Sequence, residues 1–60
     1  MKQKEFVKLW NKSSWTVKRV KVFGVNIYAD AYVTLSDSVE LSMNGGRIAI
    51  INYDLIEEVD

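Results

Sequence analysis

Between Asp37 and Asn52 two segments of period-two hydrophobicity flank Asn44-Gly45-Gly46, and no other stretch limits the fold so strongly. Val39, Leu41 and Met43 alternate with Ser38, Glu40 and Ser42 before the turn, while Ile48 and Ile50 alternate with Ala49 and Ile51 after it. Alternation of this kind puts one face of each strand in a core. Asn and Gly accept the positive φ values that tight hairpin turns need. The stretch therefore reads as a β-hairpin whose core face carries Val39, Leu41, Met43, Ile48 and Ile50, entered through a turn at Ser36-Asp37-Ser38.

The segments before it are read in the same way. In residues 2 to 12, Phe6, Leu9 and Trp10 fall at i, i+3 and i+4, the spacing of one helix face, yet Phe6, Lys8 and Trp10 against Val7 and Leu9 also describe a strand. A strand is preferred because the rest of the chain is rich in β signals and an isolated helix of this length is unstable. Asn11-Lys12-Ser13-Ser14 is a polar loop. Residues 15 to 23 are aromatic and β-branched enough for a strand, although the apolar set changes sides near Lys18 to Val20, which calls for a bulge or a strong bend. Gly24 marks a kink, a bulge or a tight corner. Residues 25 to 35 put Val25, Ile27, Ala29, Ala31, Val33 and Leu35 on one face and Asn26, Tyr28, Asp30, Tyr32 and Thr34 on the other, as one long strand or two with a bend near Asp30. After Asn52, Leu55, Ile56 and Val59 fall at helical spacing and also fit a short strand, and a short helical turn starting near Asp54, followed by one or two extended residues that close the sheet, is preferred.

Five short strands with tight turns and at most one helical turn give an all-β expectation: a small, strongly bent antiparallel sheet or barrel, because rolling up hides both the second face and the edges. The succession of hairpin, short turn and final strand in Asn44-Gly45-Gly46-Arg47-Ile48-Ala49-Ile50-Ile51-Asn52-Tyr53-Asp54-Leu55-Ile56-Glu57-Glu58-Val59 resembles the closing half of small SH3-like or Sm-like barrels. The resemblance covers residues 39 to 59 only. It implies a binding surface for proteins or nucleic acids and self-association by edge pairing.

At 60 residues the chain is one domain, and a chain of this size removes only about 60% of its unfolded surface on folding. A core this small supplies roughly 3 to 5 kcal/mol and is commonly supplemented by disulfides, a metal or association. With no cysteine and no histidine the first two are excluded in their usual forms, so a homo-oligomer is expected. The N-terminal stretch lacks a secretory pattern and no segment approaches the ~20 apolar residues of a membrane span, which gives a cytoplasmic expectation with no membrane partner.

Formal net charge is zero but unevenly spread. Residues 1 to 23 carry Lys2, Lys4, Lys8, Lys12, Lys18, Arg19 and Lys21 against Glu5; residues 24 to 60 carry Arg47 against Asp30, Asp37, Glu40, Asp54, Glu57, Glu58 and Asp60. Either the halves form separate basic and acidic surfaces, or strand pairing interleaves them and the charges cancel locally.

No cofactor, metal or catalytic role is expected: there is no nucleophile beside a base, and Glu57 and Glu58 have the setting of solvated terminal residues. Gly45-Gly46-Arg47 is followed by a strand, so it is a turn and not a phosphate loop. The reading favoured on these grounds is a non-catalytic protein-binding or self-associating module, regulatory or inhibitory, acting through a small barrel surface. Its interface candidates are Tyr28, Asp30 and Tyr32, with Trp15 and Tyr53, because aromatic side chains concentrate at interface anchors. The alternative is nucleic-acid binding by Lys8, Trp10, Lys12, Lys18, Arg19, Lys21 and Arg47, where aromatic platforms stand among basic residues.

Overall fold

The computed structural model describes residues 1–60. One helix, α1 (Gln3–Lys12), precedes six strands: β1 (Lys18–Val22), β2 (Val25–Ala29), β3 (Ala31–Thr34), β4 (Ser38–Met43), β5 (Gly46–Asn52) and, after a 3₁₀ turn at Tyr53–Leu55, β6 (Ile56–Val59). The strands form two three-stranded antiparallel sheets, ordered β2-β1-β6 and β3-β4-β5. Only Asp30 separates β2 from β3, so the chain passes from one sheet to the other at a single residue. No helix is long and apolar enough to cross a membrane.

Two expectations are corrected here. Each sheet is open and no strand belongs to both, so the SH3-like or Sm-like barrel implied by residues 39 to 59 is absent, as is the single five-stranded sheet. The N-terminal segment is a ten-residue helix, where a strand was expected. The helical spacing prevails because it turns Phe6 and Trp10 to the same side, where both are buried. Phe6 packs on Tyr32 and Tyr53 with ring centroids 5.4 and 5.8 Å apart, and Trp10 lies 4.9 Å from Tyr32. Tertiary packing of this kind stabilises a helix too short to persist alone. Glu5 in the first turn and Lys12 in the last suit the helix dipole, and the Ser13 N–H closes the helix by donating to the Leu9 and Trp10 carbonyls.

The core consists of Phe6, Trp10, Val20, Val22, Ala29, Val39, Leu41, Ile51, Tyr53, Ile56 and Val59. The hairpin β4–β5 stands where expected, but its register differs. Met43 faces Gly46 and Ser42 faces Arg47, then the pairing shifts so that Leu41 faces Ala49 and Val39 faces Ile51. Without the shift Leu41 would face Ile48 and Val39 would face Ile50, the arrangement expected from the alternation. A bulge inserts one residue and transfers everything beyond it to the opposite face. Ile48 and Ile50 are accordingly 47% and 52% exposed, and Ile51 takes the core position.

A similar change of side occurs at Asp30. Ala29 is fully buried on β2, whereas on β3 it is Tyr32 that turns toward the aromatic cluster and Val33 that faces out. The six-residue alternation from Val25 to Leu35 is therefore broken in the middle. Asp30 holds the corner: its N–H donates to the Ser42 carbonyl at 3.0 Å, and its carboxylate accepts from the Asn44 N–H at 3.1 Å.

Candidate functional site

The predicted interface residues do not form one surface. Tyr28 is half exposed on the outer side of β2, Asp30 is engaged with the β4–β5 turn, and Tyr32 packs against Phe6 and Trp10. Tyr53 is buried to 4% exposure. Its hydroxyl has no hydrogen-bond partner, and burial, reinforced by the neighbouring Tyr32, pushes its pKa above the ordinary 10.0. Trp15 alone of this group is largely exposed besides Tyr28. The two meet across a shallow groove of about 350 Å³ at the start of β1, lined by Trp15, Val17, Arg19, Tyr28 and Asp60.

The basic candidates divide as well. β6 pairs with β1, placing its carboxylates against the β1 cations: Arg19 lies 3.4 Å from Asp60 and 3.7 Å from Glu58, and Lys21 lies 3.3 Å from Glu58. Arg47 faces Glu40 at 3.9 Å. Charge is thus cancelled locally along the strands. Lys8 and Lys12 remain exposed on α1, while Lys18 donates to the Trp15 carbonyl and sits 5.8 Å above the Trp10 ring. Trp10 is a core residue and offers no platform for a base. The nucleic-acid reading of a barrel with a basic and aromatic half is overturned by this division, and the protein-binding reading through a barrel surface falls with the barrel itself.

What the sequence pattern missed lies at the sheet margins. β5 is the outer strand of its sheet, and Ile50 stands on its outward face in line with Glu40 of β4 and Val33 of β3. Ile50, Ile48 and Val33 are each about half exposed. An apolar strip therefore borders an open row of backbone hydrogen-bonding groups. The signal was present in Ile50-Ile51, where two adjacent isoleucines leave the inward one undecided unless the bulge is known.

Carboxylates are dispersed over this architecture. Glu57 accepts from the Gly24 N–H, Glu58 and Asp60 serve Arg19, and no group of three potential metal ligands converges.

Comparisons with protein-family models, with curated proteins and with solved structures find no match for this chain.

Proposed function

We propose that the chain is a non-catalytic assembly domain that pairs with a second copy of itself through β5. The observation that carries this reading is the unguarded edge beyond the bulge. Arg47 and the bulge at Ile48 guard only the first part of β5; from Ala49 to Asn52 the outer strand holds no charged residue and no proline, devices by which edge strands avoid pairing. Ile50 beside it is 52% exposed. Antiparallel pairing of two β5 strands about a two-fold axis extends each three-stranded sheet into one of six, and two-fold dimers are the commonest symmetric assemblies. Cross-strand contact between the Ile50 side chains of the two copies, at the two-fold axis, then covers the apolar strip. A domain whose core is worth only roughly 3 to 5 kcal/mol gains stability from such an interface.

The non-catalytic part of the proposal is supported by composition: histidine and cysteine are absent and the carboxylates are spread over separate structural roles. We keep the cytoplasm as the setting, because a cysteine-free chain needs no oxidising compartment. Sedimentation equilibrium of the parent chain and of Ile50→Lys tests the pairing. The parent chain associates with rising concentration, and the variant, which keeps the same far-UV circular dichroism, associates at least about tenfold more weakly, a difference of about 1.4 kcal/mol. A strict monomer, or a variant that associates as the parent does, overturns the reading.

A further inference from the structure

The β1–β2 and β4–β5 turns are alike in backbone and unlike in sequence. Asn44-Gly45 has φ values of 52° and 80°, and Phe23-Gly24 has 52° and 74°. Asn is among the residues that tolerate the left-handed region, whereas a bulky side chain there is a conformational outlier. Phe23 is also the most exposed large apolar residue, at 74%, and its neighbour Val25 is 61% exposed. A residue that is unfavourable both for its turn and for its solvation is a mark of function when the same fold contains the favourable solution.

We infer that Phe23 is an anchor that seats in the Trp15–Val17–Tyr28 groove of a second copy and joins copies head to tail. Anchor and groove lie at opposite ends of the β1–β2 ladder, about 17 Å apart along five strand residues, so one molecule cannot satisfy itself. The sizes agree. An apolar cavity of about 150 Å³ accepts benzene, and the groove of about 350 Å³ has room for the Phe23 ring with Val25 beside it. Trp15 and Tyr28 supply aromatic walls, which favour edge-to-face contact with a phenyl ring.

Charge agrees too. Beside the anchor, Lys21 is held by Glu58, while Glu57 accepts only the Gly24 N–H and carries an uncompensated charge to the tip. Around Trp15 stand Lys12, Lys18 and Arg19; Asp60 and Glu58 both pair with Arg19, which leaves Lys12 and Lys18 as the cations of the rim without a carboxylate partner. An acidic tip therefore meets a predominantly basic rim, which orients the approach. Such a contact is heterologous: it closes into a ring or continues as a chain according to the rotation between copies. It uses residues distinct from β5 and does not depend on the pairing proposed there.

The test uses the Ile50→Lys chain, in which β5 pairing is removed. That chain still associates in sedimentation velocity. Adding Phe23→Asn, which gives the turn the Asn-Gly sequence of the other hairpin, raises the melting temperature and yields a monomer, so the loss is not one of folding. Adding Trp15→Ala instead also yields a monomer. An equimolar mixture of the two monomers forms a heterodimer, since one supplies the groove and the other the anchor. A monomeric Ile50→Lys chain, a Phe23→Asn chain that associates as its parent does, or a mixture that stays monomeric overturns the inference. If Phe23→Asn disperses the assembly while Ile50→Lys alone changes nothing, β5 pairing fails and the anchor stands.

Discussion

Leu41 faces Ala49 across the β4–β5 ladder, and Ile48, the residue between Ala49 and Arg47, has no partner on β4. This offset decides which isoleucine of β5 belongs to the core. Ile51, opposite Val39, is 7% exposed; Ile50, opposite Glu40, is 52% exposed. Ile51→Ala is expected to cost about 2 to 4 kcal/mol, and Ile50→Ala about 0.5 kcal/mol under conditions where the chain is monomeric. Urea titrations of both variants check this. Equal losses would place the bulge elsewhere.

The Tyr53 hydroxyl is buried and unpartnered, so removing it removes a desolvation cost without removing a bond. Tyr53→Phe is expected to stabilise the fold by about 1 kcal/mol, within the range for an unsatisfied buried polar group. The pH dependence follows from the raised pKa. Above 10.0 the unfolded chain releases the phenolic proton while the folded chain retains it, so stability is full below that value and falls as pH rises toward the folded-state pKa. The variant loses this part of the alkaline decline, which melting curves at alkaline pH would reveal.

Phe6 is fully buried and touches Trp10, Tyr32 and Tyr53. Truncation to alanine costs about 3 to 5 kcal/mol, as much as the whole core of such a domain provides. Phe6→Ala should therefore show no cooperative thermal transition, and Phe6→Leu, which restores most of the volume, should regain one. A cooperative melt for the alanine variant would mean that α1 is dispensable to the fold.

The ion pairs between β1 and β6 are a different case. Arg19, Glu58 and Asp60 have side chains 29%, 52% and 60% exposed, and pairs so open to water contribute little. Arg19→Ala is expected to lower stability by less than about 1 kcal/mol, with the difference shrinking in 1 M salt. Denaturant titrations at low and high salt measure it. A large, salt-insensitive loss would show that Arg19 acts through the packing of its aliphatic stem.

The hairpin was legible in the sequence because turn chemistry is local, whereas the corner at Gly24 and the break at Asp30 were each one of the readings that the pattern left open. Val39 and Leu41 were assigned to the core correctly for the same reason: they lie on the strand that the bulge does not lengthen. Ile48 and Ile50 were assigned wrongly because a bulge depends on the partner strand and leaves no trace in alternation. The N-terminal segment turned on a comparable question. Phe6 and Trp10 suit a helix or a strand until Tyr32 and Tyr53, distant in sequence, are known to stand opposite them. Of the candidate site residues, Trp15 and Tyr28 reach the surface together, whereas Trp10, Tyr32 and Tyr53 were needed inside, since a small domain fills its core with its largest side chains.

The central strand of the first sheet, β1, is completed on one side by β2 and on the other by β6, the last strand of the chain. Met1 likewise donates through its terminal nitrogen to the Tyr53 carbonyl, and Phe6 rests on the Tyr53 ring. The contacts that complete the core therefore join residues far apart in sequence. Without residues 53–59, Val20 and Val22 would be flanked by β2 alone, and Phe6 would keep Tyr32 but lack Tyr53. Closing so long a loop costs entropy before the contacts that reward it can form, so a domain completed in this way is expected to fold slowly for its length.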